Sequence, residues 1–309
     1  MNKNHWSSRP LYLNFYRLDA FPFSLTPDTE FFLEYGEFKQ ALEVVNYALS
    51  TGEGITKICG EVGTGKTLLA YKIKSSLDAQ HQAILITNTA INSKNLTICI
   101  AKELGIKNAR KIGRQRLIER IHNRLLALQA ENKKVTLLID EAQSLPVDSF
   151  DSLRIFSNLE TEKSKLFNIV LFGQPELDTI LQDKQFRQIR QRIVFSHEIQ
   201  PLTPEALEIY IDYRLHIAGY RGQSLFSKRA LQKLHSASQG IPRMVNILGH
   251  KALLMAYAMN DQSVGLEHVK KAAMDTDDAV INSRWLDTRG SFLTIKGYFD
   301  PRYRKLGTE

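Results

Sequence analysis

Residues 60–67 read Gly60-Glu61-Val62-Gly63-Thr64-Gly65-Lys66-Thr67 and satisfy the pattern G-x-x-x-x-G-K-[ST] completely. Before them, "GITKICG" (54–60) is a short β-type run ending at glycine; after them, "TLLAYKIKSSLDA" (67–79) has helical periodicity. Between a strand and a helix, the glycines let the backbone turn its N–H groups inward around a phosphate. A side chain at Gly63 or Gly65 would crowd that approach. Lys66 brings an ammonium to the β- and γ-phosphates, and the Thr67 hydroxyl is a ligand for Mg²⁺. The eight residues therefore read as a binding loop for ATP and Mg²⁺. The bland alternative, a chance glycine turn, does not account for the strand and helix on the correct sides.

The chain continues in the same texture. "QAILITNTA" (82–90) is a second strand, followed by the amphipathic "SKNLTICIAKELGI" (93–106) and the long helical "RQRLIERIHNRLLALQAENKK" (114–134). "VTLLIDEAQ" (135–143) is a continuous apolar run ending in acid, as expected of a parallel strand buried on both faces. "SFDSLRIFSNLETE" (149–162) is helical, "LFNIVLFGQ" (166–174) is a fourth strand and "IVFSHEIQPL" (193–202) a fifth. Strands alternating with helices predict an α/β domain with a parallel five-stranded sheet over 36–200. A nucleotide site needs one carboxylate near the metal and one to activate the attacking water. Asp140 and Glu141, directly after the buried strand, fit those roles in that order.

After Pro201 every segment reads as helix: 203–219, 227–240, 241–259 and 265–276, with Thr203 and Ser227 as N-caps and Gly219 and Gly240 as stops. This predicts a small all-helical lid domain over 201–280, an N-terminal segment over 1–35 and a tail over 281–309. The 309 residues are 43% hydrophobic and 24% charged, ordinary for a globular chain with a sizeable core. Two cysteines, Cys59 and Cys99, give no disulfide or metal spacing and suit a reducing compartment. No apolar run reaches the length of a membrane span, and Arg9, Arg17 and Asp19 interrupt the start where a signal peptide needs an apolar core. The expected location is the cytoplasm. The net charge of +8 permits an acidic partner without demanding one, because lysine and arginine read as spread along the chain apart from a basic tail. Ile58 and Val62 read as core residues. His122, His216, His235 and His250 share no metal spacing and read as structural or surface residues.

Taken with "PFSLTPD" (22–28), "LRIFSNLET" (153–161) and "LFGQPEL" (171–177), the phosphate loop and the acidic strand end resemble the AAA+ P-loop NTPases of the general-secretion protein A type. Within that family the likeness extends to members serving biogenesis of the mannose-sensitive haemagglutinin type IV pilus, and it covers residues 11 to 280. The resemblance implies further roles. Gln174, after the fourth strand, takes the place of a polar sensor that orients the water, with a satisfied strand-end glutamine as the alternative. Arg187, Arg190 and Arg192 lie where such proteins offer an arginine finger to a neighbour's γ-phosphate; Arg192 is the first choice and Arg190 the second. Guanidinium suits the task because it stays charged and binds phosphate oxygens in pairs. Arg243 in "GIPRMVNIL" matches the sensor-2 arginine that couples the lid to the γ-phosphate. Asn88 is either a residue that holds Glu141 inactive until a partner arrives or an ordinary turn asparagine.

The resemblance thus implies an ATP-hydrolysing homo-oligomer that supports assembly of a type IV pilus or secretion apparatus at the inner membrane. Secretion-type members carry a transmembrane helix and a peptidoglycan-binding domain after the lid. The present sequence stops at Glu309, so the expected link to the envelope is an inner-membrane partner. Two rivals stand beside this reading. One is a DNA-binding AAA+ protein of the transposition-regulator or origin-recognition type, although 281–309 is too short for a winged helix. The other is a nucleotide-gated switch that scarcely hydrolyses, against which Glu141 argues. The aromatic-rich tail, with Trp285, Phe292, Tyr298, Phe299 and Tyr303, is expected to dock on the lid or on a partner.

Overall fold

Five apolar runs become the strands β1 (Ile55–Gly60), β2 (His81–Ile86), β3 (Lys134–Ile139), β4 (Phe167–Gly173) and β5 (Ile193–Ile199), all parallel and paired in the order β2-β3-β4-β1-β5. The order explains the sequence texture. β4 is buried at every position and β3 at all but its first, because helices cover both faces of the sheet's centre, whereas β2 and β5 lie at the edges and are only partly covered. In register, Ile139 pairs with Leu171 and Leu171 with Lys57. The carboxyl ends of β1 and β3 therefore finish at one edge of the sheet, separated by β4, which is about 10 Å for two strand spacings.

The computed structural model describes residues 11–161 and 165–281. Their contacts divide them into an α/β unit, 34–200, and a helical unit made of 11–33 with 201–281. The expected 281–309 tail docking falls outside the described residues, Ile281 apart. Along the chain the helices are α1 (Leu11–Phe15), α2 (Gly36–Thr51), α3 (Lys66–Ser76), α4 (Ser93–Glu103), α5 (Arg114–Ala130), α6 (Val147–Ser157), α7 (Glu176–Gln182), α8 (Arg187–Arg190), α9 (Pro204–Ile217), α10 (Lys228–Ser238), α11 (Pro242–Ala258) and α12 (Leu266–Met274).

α2 has no counterpart in the sequence reading. It begins without a side-chain cap and its first residue is Gly36, so no N-terminal signal announces it. Its buried face, Phe38, Ala41, Leu42, Val45, Ala48 and Leu49, nevertheless repeats at helical spacing, and Tyr47 meets Phe195 of β5 edge to face.

In the helical unit Thr203 and Ser227 accept the backbone N–H groups of Ala206 and Ala230, the capping expected of them. The N-terminal segment is held there from both sides of its chain. Tyr12, Leu13, Tyr16, Leu18 and Phe23 join the core of α9–α12. The buried Arg214 of α9 donates from Nε to the Pro22 carbonyl oxygen and from a terminal nitrogen to that of Ser24, and lies over the Phe31 ring. A cation buried this deeply needs such partners, and the "PF" turn supplies them. Among the described residues no helix is long and apolar enough to cross a membrane.

Gly240 closes α10 with φ of +71°, and a Cβ there would lie 2.2 Å from the Leu202 carbonyl oxygen. Both the conformation and the backbone contact oppose any larger residue. Gly240→Ala is expected to destabilise the helical unit by roughly 1–3 kcal/mol. A calorimetric unfolding midpoint equal to that of the native chain would contradict the assignment.

Candidate nucleotide site

The loop after β1 is shaped by conformation before chemistry. Gly63 and Gly65 have φ of 82° and 96°, the left-handed region that side chains avoid. Thr64 is fully buried and its hydroxyl donates to the Glu61 carbonyl at 2.8 Å, bracing the turn. A Cβ on Gly60 would stand 2.9 Å from the Ile199 carbonyl, so the loop leaves the sheet hard against β5. α3 then starts at Lys66 with no side-chain cap. Its first N–H groups and its positive dipole end face outward at the loop, a ready anion site. Val62, expected in the core, is instead 56% exposed, because the turn carries residue 62 out past the strand end; Ile58, on the strand itself, is buried as expected.

Lys66 is 4% exposed, and its ammonium donates to the carbonyl oxygens of Gly60 and Glu61, each at 2.8 Å. Burial pushes its pKa down, and the nearby carboxylates of Glu141 and Asp140 oppose that shift. On the other side of β4, Asp140 follows β3 and is 3% exposed. Its Oδ2 accepts a 2.6 Å hydrogen bond from the Thr67 hydroxyl, and its Oδ1 accepts from the Glu141 backbone N–H at 3.0 Å. Burial raises the Asp140 pKa, with the Thr67 hydrogen bond as the leading opposing influence.

Glu141 adopts φ 51°, ψ 43°, an uncommon conformation for a residue with a side chain. Its Oε2 accepts from Gln174 Nε2 at 2.8 Å and from Gln143 Nε2 at 2.5 Å, while Gln143 Oε1 accepts the Gln174 backbone N–H at 3.1 Å. Gln174, expected to orient the water or to be a satisfied strand-end glutamine, is thus bonded to the Glu141 carboxylate. Gln143 was missed: only its place two residues after Glu141, within the short 3-10 turn Ala142–Ser144, marks it. Asn88 lies exposed two residues beyond β2, and among the described residues no hydrogen bond joins it to Glu141; the amides that hold this carboxylate are Gln143 and Gln174.

The arginines before β5 stand apart from this cluster. Arg192 donates to the Gln188 carbonyl at 2.7 Å and to Asn158 Oδ1 at 2.6 Å; Arg190 reaches the carbonyls of Leu181 and Gln182 at 3.4 and 3.3 Å; Arg187 is exposed. Arg243 belongs to the helical unit, exposed in the first turn of α11.

Among the described residues no group of three or more His, Cys, Asp or Glu is arranged to hold a metal ion. Magnesium at a nucleotide needs less, since one or two protein oxygens complete a shell supplied by phosphates and water. The Thr67 hydroxyl and the Asp140 carboxylate are oxygen donors already in contact, and that donor set fits Mg²⁺.

The sheet order, the loop and the acidic strand end together define the AAA+ P-loop fold, a parallel five-stranded core followed by an α-helical lid, and with it an ATP-hydrolysing enzyme. Residues 49–181 match the family model described as an AAA domain. The chain is 33% identical over 275 residues, 89% of its length, to general secretion pathway protein A of Aeromonas hydrophila, and it spans half the length of that relative. Its AAA+ ATPase domain is accordingly related to that of the secretion protein. Among solved structures, the ORC2 protein of Aeropyrum pernix superposes with a TM-score of 0.63 at 20% identity, covering 88% of this chain and 75% of that one. Cdc6p from Pyrobaculum aerophilum gives 0.61 at 18% identity, covering 79% and 70%. The Thermotoga maritima RuvB branch migration motor gives 0.52 at 17%, covering 80% and 72%. At these identities the likeness is one of fold.

A carboxyl whose pKa is raised by folding prefers its proton in the native state. Ionised Asp140 therefore costs stability at neutral pH, and the cost fades as the pH falls through its raised pKa. Asp140→Asn is expected to raise the thermal midpoint of the nucleotide-free protein at pH 7, by less at acid pH, while removing Mg²⁺-dependent hydrolysis. A lowered midpoint at pH 7 would contradict the burial argument.

Proposed function

We propose that this chain is an assembly ATPase that hydrolyses Mg·ATP as a homo-oligomer and serves a type IV pilus, of the mannose-sensitive haemagglutinin kind, or a related secretion apparatus at the cytoplasmic face of the inner membrane. The observation that carries the reading is the relationship to general secretion pathway protein A over nearly the whole of this chain, phosphate loop included. An inner-membrane component of that apparatus is the proposed partner.

In the proposed mechanism the backbone of Gly60–Thr67 and the Lys66 ammonium bind the phosphates, and Thr67 with Asp140 would hold the metal. Bound Mg²⁺ would supply positive charge that offsets the charge of the phosphates. Glu141 takes the proton of the attacking water, as a carboxylate within hydrogen-bond reach of it can. Gln143 and Gln174 aim that carboxylate and withhold it from solvent, so their amides set when the base is free. Arg192, or failing it Arg190, comes from the neighbouring subunit to the charge developing on the γ-phosphate. Because no subunit completes its own site, hydrolysis depends on assembly.

Trapping tests the reading as a whole. Glu141→Gln should retain ATP and lose turnover, since an amide cannot accept the water's proton. Lys66→Ala should lose ATP affinity, having lost the cation beside the β- and γ-phosphates. Recovered from its native host with ATP bound, the Glu141→Gln protein is expected to bring down a pilus or secretion component of the inner membrane, and Lys66→Ala is not. Native turnover by Glu141→Gln removes it as the base, and a trap that recovers only unrelated proteins overturns the pilus role.

The trans finger makes a separate prediction. Arg192→Ala subunits keep an intact phosphate loop, and Lys66→Ala subunits keep an intact finger. Mixing the two inactive proteins is expected to restore activity at interfaces of the right order. Arginine fingers contribute about 10³–10⁵ in rate, so a minority of such interfaces suffices. A rate that stays at background across all mixing ratios, with mixed oligomers demonstrated, moves the role away from Arg192.

A further inference from the structure

The positive charge of this chain is not spread evenly. From Lys102 to Arg124 there are eight lysines and arginines against two acids, Glu103 and Glu119, a surplus of six out of the +8 carried by all 309 residues. Folding brings this segment to one surface of the α/β unit. Arg116, Arg120 and Arg124 recur every four residues along one flank of α5, successive members about 6 Å apart along the axis. Arg124 donates from Nε to the Leu104 carbonyl at 3.3 Å, which sets this flank against the end of α4 and the turn carrying Lys107, Arg110 and Lys111. Lys107, Arg110, Lys111, Arg114, Arg116 and Arg120 are all exposed, and among the described residues none of the six is in an ion pair. Six uncompensated cations held on short, ordered elements repel one another, a cost that an acidic partner relieves.

We infer that this α4–α5 surface binds the phosphate backbone of duplex DNA, independently of base sequence. The chemistry separates it from other polyanions. A membrane-binding helix couples its cations to exposed apolar anchors, and a single-strand groove couples them to aromatic platforms. Neither is present: the large hydrophobic side chains exposed among the described residues include none between Tyr71 and Val147, and the apolar face of α5, Leu117, Ile121, Leu125 and Leu128, is buried in the core. What remains is an arginine-rich array of forked donors, suited to phosphate oxygens along a rigid backbone. The inference is independent of the pilus role, and the nucleotide site plays no part in it.

The test is anisotropy titration of a labelled random-sequence 40-base-pair duplex with the full chain between 50 and 300 mM NaCl. Saturable binding that weakens steeply with salt is expected. Arg116→Gln/Arg120→Gln and Arg110→Gln/Lys111→Gln should each weaken binding and flatten the slope of log affinity against log salt by about 1 for every phosphate left without its cation. Both pairs should keep native ATPase activity, which certifies their folding. The control pair Lys39→Gln/Lys74→Gln removes equal charge elsewhere on the same unit and should leave binding unchanged. Absent binding, or equal losses in patch and control variants, overturns the inference. So does capture of the chain by vesicles containing phosphatidylglycerol when the duplex is ignored, which would assign the surface to lipid.

Discussion

The 2.6 Å hydrogen bond between the Thr67 hydroxyl and Asp140 Oδ2 joins two chain segments that the sheet holds one full strand apart. It closes because β4 lies between β1 and β3, and because β1 runs on past Lys57, its residue level with the end of β3, to Gly60 before the chain turns back into α3. Thr67 on the first turn of α3 and Asp140 directly after β3 then meet. The positive-φ glycines, the braced Thr64 and the wholly buried β4 are conditions for that meeting. The electrostatics follow from it. A lysine and an aspartate, each almost without solvent, are each shifted toward the neutral form by burial; Glu141 and Asp140 oppose the shift at Lys66, and the Thr67 hydroxyl leads the opposition at Asp140. Such a site spends stability on readiness for a charged ligand.

The proposed base belongs to the same geometry. Glu141 turns out of the strand through a left-handed backbone conformation, so its carboxylate leaves the line of β3 and meets the residues at the end of β4. Gln174 comes from that end, and Gln143 from the turn just beyond the acid. Two neutral amide donors hold the Glu141 carboxylate in place without adding charge that would compete with a metal.

Most of this core was legible because its signals are local. The phosphate loop needs conformations that few residues other than glycine adopt, and a strand buried on both faces must be a continuous apolar run, as β3 and β4 are. What escaped has no such signature. α2 lacks a cap and opens on glycine, so its apolar stripe went unread. Val62 looks like core by residue type, and only the turn's geometry carries it outward. Gln143 acts through a 3-10 turn whose shape no spacing rule encodes. The charge surplus at 102–124 is written in the sequence but divides among α4, a turn and α5; the hydrogen bond from Arg124 to the Leu104 carbonyl sets the α5 flank against the end of α4. The binding of 11–33 to α9 depends on the buried Arg214, whose partners are backbone carbonyls and leave no trace in residue type.

We propose that the carboxyl ends of the strands, with β4 as spacer, assemble an apparatus for binding Mg·ATP and a base that is productive only in an oligomer. This is tested most directly by phosphate release from ATP, with and without Mg²⁺, over a wide range of protein concentration, alongside nucleotide binding in the same samples. Release is expected to require Mg²⁺, with a rate per chain that rises with concentration as subunits meet. Tight ATP binding without Mg²⁺-dependent release at any concentration, or a rate per chain that never changes with concentration, would contradict the proposal.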